Sequence, residues 1–124
     1  MSYLYPLVRG QIAYTVSGAL EVDTDVCFPF RPSGNFTILD VYIEVKTAPT
    51  GASVIVDINV NGTSIFNVTP ANRPEIAIAA TTATSGTPDT TTLVENDSIT
   101  VDVDQIGSGD TGADMTVIVR GTQG

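Results

Sequence analysis

A chain of 124 residues, 42% hydrophobic and 15% charged, is long enough for one folded domain and too apolar to be disordered. Fourteen acidic residues against five basic ones give a formal net charge of −9. That charge argues against binding to nucleic acid or to an anionic membrane surface. Histidine is absent, which excludes histidine-based catalytic triads and histidine metal sites.

The compartment can be predicted from the cysteine content and from the start of the chain. Cys27 is the one cysteine, so an internal disulfide is excluded, and its place in a strand-like stretch predicts a small buried side chain. No apolar run reaches the roughly 18 residues of a membrane span. The first residues lack the basic start and long apolar stretch of a secretion signal. We therefore expect synthesis in a reducing cytoplasm and no membrane partner.

The first ten residues differ from the rest of the chain. They form an aromatic and aliphatic arm, interrupted by Pro6, that is too short to fold alone. We predict an N-terminal arm over residues 1–10 and a single β-sandwich domain over residues 11–124. Two interpretations of the arm stay open: a first strand on the domain's own sheet, or an anchor laid onto a neighbouring subunit or another partner. The candidate partner-binding residues are Tyr3, Leu4, Tyr5 and Leu7.

Alternation of apolar and polar residues recurs from residue 11 onward and predicts β-strands. Threonine, valine and isoleucine, which favour strands, make up over a third of the chain. The longest candidate covers residues 36–46, where the pattern places one set of side chains inward (Leu39, Val41, Ile43, Val45) and the other outward (Asp40, Tyr42, Glu44, Lys46). Further alternating stretches cover residues 11–16, 53–60, 98–106 and 115–120.

Turn signals separate these stretches. Asn61-Gly62 between two alternating runs predicts a tight hairpin with a type I′ turn. Residues 75–80 predict a short strand or one helical turn, and residues 81–92 predict a long exposed loop. About eight strands with turns roughly every 8–12 residues predict an all-β fold, an antiparallel β-sandwich.

Two acidic patterns in the sequence are candidate sites. Asp57 to Gly62 matches the start of a calcium loop, D-x-N-x-N-G, but Val68 stands where the closing glutamate is required. The same residues also fit a strand followed by a turn, which we favour. The second pattern is explained better by the solvent-exposed face of a strand and the loop after it than by an acid–base pair or a cation site. Its residues are Asp102, Asp104, Asp110 and Asp114. We therefore predict that the chain is not an enzyme and has no catalytic residues, no metal and no cofactor.

Two stretches of the chain resemble a recurrent pattern in bacteriophage virion structural proteins. They are residues 45–66, with the sequence VKTAPTGASVIVDINVNGTSIF, and residues 92–108 continuing at 112–117. Together they lie within residues 36–120. The resemblance implies a jelly-roll-like module of the kind found in capsid decoration (cement) proteins and in tail or fibre-tip proteins.

The function that the resemblance implies is a structural one in the virion. We expect a decoration protein that binds the major capsid protein on the outer surface of the head and stabilises the shell. It implies a homotrimer, made in the host bacterial cytoplasm. A short arm without a long fibre shaft favours the head. The alternative is a tail or fibre-tip module that binds a host surface glycan or receptor, with Tyr42 as the one outward aromatic that could stack on a sugar.

Overall fold

The computed structural model describes residues 8–24, 26 and 29–123. In that part of the chain the regular structure consists of β-strands and one short 3₁₀ helix, Pro70–Asn72. The strands are β1 (Val8–Ala19), β2 (Phe36–Thr47), β3 (Val54–Val60), β4 (Thr63–Ser64), β5 (Glu75–Ile76), β6 (Thr82–Thr84), β7 (Thr92–Leu93), β8 (Ile99–Gln105) and β9 (Ala113–Gln123).

The strands form two antiparallel sheets that pack against each other. Sheet A has the order β1-β9-β2-β6, and β7 also pairs with β2. Sheet B has the order β4-β3-β5, and β8 also pairs with β3. The segment between β1 and β2 adds single bridges from Asp23 and Phe30 to β8. The chain thus passes between the two sheets several times. The predicted all-β antiparallel sandwich is confirmed, with nine strands instead of about eight.

The core lies between the two sheets and is built from alternate residues of the long strands. In β3, for example, Val54, Val56 and Ile58 are buried, and in β9 Met115, Val117 and Val119 are buried. Among the described residues no polar or charged side chain is fully buried. The Tyr14 hydroxyl donates a hydrogen bond across the core to the carbonyl oxygen of Ile99, at 3.2 Å, and so ties the two sheets together.

A β-bulge in β2 contradicts the prediction for the longest strand. The register of β2 against β9 shifts between Ile38 and Asp40. Ile38 is therefore buried, and Leu39, predicted to point inward, has 51% of its surface exposed. The alternation is as predicted from Val41 onward, since Val41, Ile43 and Val45 are buried. An extra residue in one strand changes which face of the sheet the neighbouring side chains point to. The sequence contains no local signal for this bulge.

The predicted long loop over residues 81–92 was also wrong in part. Thr82–Thr84 forms β6 along the edge of β2, and Thr92 belongs to β7 on the same edge. These strands are too short to show a two-residue period, so their pairing depends on the free edge that β2 offers. The predicted short strand near residue 75 is present as β5.

The predicted Asn61-Gly62 hairpin is confirmed. Asn61 has φ = 51° and Gly62 has φ = 86°, so both turn residues have the positive φ that a type I′ turn requires. The side-chain oxygen of Asn61 accepts a hydrogen bond from the Ser98 backbone at 2.9 Å. This contact joins the turn between β3 and β4 to the start of β8.

We expect Gly62→Ala to lower the free energy of unfolding by about 1–2 kcal/mol, because an L-residue is strained at this φ. No atom lies within 4 Å of the position that the new methyl group would occupy, so the loss of stability comes from backbone strain and not from a steric clash. Gly34→Ala is the control, since Gly34 also has open space and lacks a positive φ. Urea unfolding of both variants measures the difference, and equal losses would contradict the prediction.

Candidate interaction surfaces

The predicted arm residues Tyr3, Leu4, Tyr5 and Leu7 lie outside the described residues, as does Cys27. The first described residue, Val8, already belongs to β1 and pairs with Gln123 of β9. β1 is the first strand in the order of sheet A. Residues 8–10 of the predicted arm therefore belong to β1, and residues 1–7 directly precede this strand.

The calcium-like motif forms a strand and a turn, and its polar side chains are spread along both. Asp57 accepts hydrogen bonds from the Ser64 hydroxyl at 2.7 Å and from the Ile58 backbone at 2.8 Å. Asn59 donates to Asp102 at 2.7 Å, and Asn61 donates to Asp97 at 3.0 Å. Each group has its own protein partner, so the motif does not form a closed shell of oxygen ligands.

The other predicted acidic residues are not brought together. Asp102 and Asp104 lie on the outer face of sheet B, where Asp104 forms an ion pair with Arg73 at 2.6 Å. Asp110 lies in the loop before β9 and accepts a hydrogen bond from Gly112. Asp114 accepts one from the Gly18 backbone. Within the described ranges no group of three or more acidic or cysteine side chains is arranged to hold a metal ion.

Two carboxylates face each other at the centre of the outer face of sheet B. The register of β3 and β8 places Asp57 directly opposite Asp102. Partial burial raises the pKa of the Asp57 carboxyl, and the hydrogen bonds from Ser64 and Ile58 only partly offset this effect. The negative charge of nearby Asp104 raises the pKa further.

We expect Asp57→Asn to stabilise the protein at neutral pH by about 0.2–1 kcal/mol, because it removes one of two like charges on opposed strands. The raised pKa means that the folded state holds this proton more tightly than the unfolded state does. Ionisation of Asp57 therefore lowers stability as the pH rises from the ordinary aspartate value through the raised one.

Thermal unfolding between pH 2.5 and 7 tests this expectation. The advantage of Asp57→Asn should be small at the lowest pH and should grow as the pH rises. The control is Asp104→Asn, which removes a charge from the same face but also breaks the ion pair with Arg73, so no gain is expected. A variant that is less stable than the wild type at pH 7 would contradict the prediction.

On the outer face of sheet A, Arg120 forms an ion pair with Asp40. Arg120 Nε lies 2.6 Å from Asp40 Oδ1, and Arg120 Nη2 lies 3.0 Å from Asp40 Oδ2. The Arg120 guanidinium also lies over the Tyr42 ring, 5.2 Å from its centre. The Tyr42 hydroxyl donates to Glu44 at 2.9 Å, which raises the pKa of Tyr42. A sugar stacking on Tyr42 would have to compete with Arg120 for the ring face that Arg120 covers.

A surface groove of about 530 Å³ adjoins this ion pair. Leu39, turned outward by the β-bulge, lines it together with Gln11 and the Asp40–Arg120 pair, and Gly10 and Gly121 complete the lining. Sequence analysis missed this feature because it placed Leu39 in the core. Arg120 was recognised only as an alternating residue, since its pairing with Asp40 depends on strands 80 residues apart in the chain.

The fold places the chain in the class of antiparallel β-sandwich proteins. No protein-family model matches it, and a search of curated proteins finds no sequence with significant similarity. Within the described residues, no helix has the length and apolar character needed to span a membrane.

Proposed function

We propose that this chain is a bacteriophage capsid decoration protein that binds the outer surface of the head and stabilises the shell without chemical catalysis. The observation that carries the proposal is the position of the two stretches with the phage-like pattern. Residues 45–66 include β3, and residues 92–108 include β8, and these two strands are hydrogen-bonded neighbours in sheet B. The two stretches that carry the resemblance therefore lie side by side in this sheet.

The features of the described residues suit a binding module. The core is apolar, and every buried side-chain nitrogen or oxygen atom in the described ranges has a hydrogen-bond partner. Decoration requires a stable body and a contact surface. Residues 1–7 directly precede the terminal strand β1, which begins at Val8, so they can supply a contact with the major capsid protein while the sandwich stays intact. Three copies in a trimer would add their arms to one attachment through avidity.

Deleting residues 1–7 tests the proposal. We expect the truncated protein to keep its far-ultraviolet circular dichroism spectrum and cooperative unfolding, because β1 begins at Val8. We expect it to lose attachment to purified heads that lack the protein, measured by co-sedimentation. The control variant is Val68→Ser, at a position with 75% of its surface exposed and distant in sequence from the arm.

Two results would contradict the proposal. The first is attachment of the truncated, folded protein to heads with the affinity of the full chain, which would exclude the arm as the anchor. The second is full-length protein that fails to bind heads but co-purifies with tails or blocks adsorption of the phage to its host. That second result would support the tail-module alternative instead.

A further inference from the structure

The turn between β3 and β4 contains a chemically reactive pair of residues, Asn61 and Gly62. The side-chain amide of an asparagine is open to attack at Cγ by the backbone nitrogen of the next residue, and a side chain on that residue hinders the approach. Of the six asparagines in the chain, Asn61 is the one that precedes a glycine. Both turn residues are exposed, and no atom lies within 4 Å of the place where a Cβ atom of Gly62 would stand. The space around the Gly62 nitrogen is therefore open.

The reaction of this pair is deamidation, and water is the only other reactant. The Gly62 nitrogen loses its proton and forms a bond to Cγ of Asn61, the Cγ–Nδ2 bond breaks, and Nδ2 leaves as ammonia. Water then opens the resulting succinimide ring at either carbonyl carbon. The product is an aspartate or an isoaspartate at position 61, and no atom is oxidised or reduced.

Three hydrogen bonds hold Asn61 against the segment that leads into β8. The Asn61 backbone N–H donates to the Ser98 carbonyl oxygen at 2.8 Å, and the Ser98 backbone N–H donates to Asn61 Oδ1 at 2.9 Å. Asn61 Nδ2 donates to Asp97 Oδ1 at 3.0 Å. Hydrogen bonds from the Val94 backbone and from Asn61 lower the pKa of Asp97, so this acceptor is a carboxylate at neutral pH. The amide of Asn61 is thus fixed at both of its polar atoms.

We infer that Asn61 is a site of spontaneous deamidation, and that its side-chain hydrogen bonds with Asp97 and Ser98 keep the reaction slow while the chain is folded. Cyclisation requires Cγ of Asn61 to come within bonding distance of the Gly62 nitrogen, and the two hydrogen bonds oppose that movement. This chemistry goes beyond the proposed function and does not depend on it.

The product loosens the contact that delayed its formation. In an aspartate at position 61 a carboxylate oxygen takes the place of Nδ2, so two like charges face each other where Asn61 donated to Asp97. An isoaspartate adds a carbon atom to the backbone of a turn that requires positive φ at two consecutive residues. Deamidation therefore weakens the attachment of the β3–β4 turn to the start of β8, and it is irreversible.

The test follows deamidation in the full chain at 37 °C and pH 7.4 by peptide mass spectrometry, which detects a gain of one mass unit at each converted asparagine. Asn67, which is exposed and precedes Val68, is the internal control. In guanidinium chloride that unfolds the chain, Asn61 should react much faster than Asn67. In buffer without denaturant, the rate at Asn61 should fall at least threefold.

Variants of the turn at residues 94–97 identify the source of the protection. Asp97→Ala should raise the rate at Asn61 in buffer about three- to tenfold, because Nδ2 loses its acceptor. Glu95→Ala is the control, since it removes a negative charge from the same turn at an exposed position, and it should leave the rate unchanged. In guanidinium chloride both variants should react at the rate of the wild type, because the contact exists only in the folded chain.

Equal rates at Asn61 in buffer and in guanidinium chloride overturn the inference, because the fold then gives no protection. An unfolded chain in which Asn61 reacts no faster than Asn67 overturns it as well. So does an Asp97→Ala rate in buffer that does not exceed the rates of the wild type and of Glu95→Ala. If Asp97→Ala fails to fold, Asp97→Asn decides, since its amide oxygen is a weaker acceptor and a smaller increase in rate is expected.

Discussion

Gly121→Ala should lower the free energy of unfolding by about 2–3 kcal/mol, and the melting temperature by about 10 °C, because the site has no room for a methyl group. Gly121 lies in β9 between β1 and β2. A Cβ atom there would overlap the Thr37 carbonyl oxygen and lie 2.8 Å from Cε2 of the Phe36 ring. Because the oxygen belongs to the backbone of β2, relief requires the two strands to move apart.

Differential scanning calorimetry of Gly121→Ala measures this loss. Gly34→Ala serves again as the control, because a methyl group at Gly34 meets no atom within 4 Å. Similar melting temperatures for the two variants would contradict the prediction, because they would show that β9 and β2 can move apart without a loss of stability. A Cβ atom at Gly10, which pairs with Gly121 across β1 and β9, would also approach the Phe36 ring, at 3.2 Å from Cε1.

Phe66→Ala should have the largest effect of any single substitution considered, a loss of about 3–5 kcal/mol. Phe66 has 1% of its surface exposed and lies in the irregular stretch after β4. Removing its ring leaves a cavity that the surrounding β-strands cannot fill without losing their own pairing. The loss should appear mainly as a lower urea midpoint, with an unchanged dependence of stability on urea.

The control for this variant is Val68→Ala, two residues further along. Val68 is 75% exposed, so its truncation should change stability by no more than about 0.5 kcal/mol. If Phe66→Ala lost less than 1 kcal/mol, the segment after β4 would not be part of the core. That outcome would leave the sandwich with less buried apolar surface than the structure indicates.

The same segment shows where sequence analysis of the fold reached its limit. The alternating run after the Asn61-Gly62 turn predicts the second strand of the hairpin, yet only Thr63–Ser64 is strand, and the next two residues, Ile65 and Phe66, are both buried. Two consecutive buried side chains do not fit the two-residue period of a strand. The Ile65 N–H still donates to Ile58 of β3, but the Ile65 carbonyl oxygen accepts backbone hydrogen bonds from Asp89 and Thr90. Those partners are more than twenty residues away.

The candidate surfaces were predictable only in part. The outward positions of Tyr42 and Glu44 followed from alternation, whereas the exposure of Leu39 did not, because the bulge depends on pairing with β9. The turn at Asn61 was predicted because its chemistry is local, and the structure agrees. The opposition of Asp57 and Asp102 depends on the register of two strands that are 45 residues apart, which alternation does not define.

The sequence by itself determined the all-β class, which side chains of β3, β8 and β9 point into the core, and the hairpin at Asn61-Gly62. Each depends on side-chain alternation or backbone preference within a few residues. Only the tertiary structure decided which residues meet across strands: the uncharged row of Ala13, Ile118 and Tyr42 on one sheet, and the opposed aspartates on the other. Register is set by packing between distant segments, and one inserted residue reverses the faces of a strand.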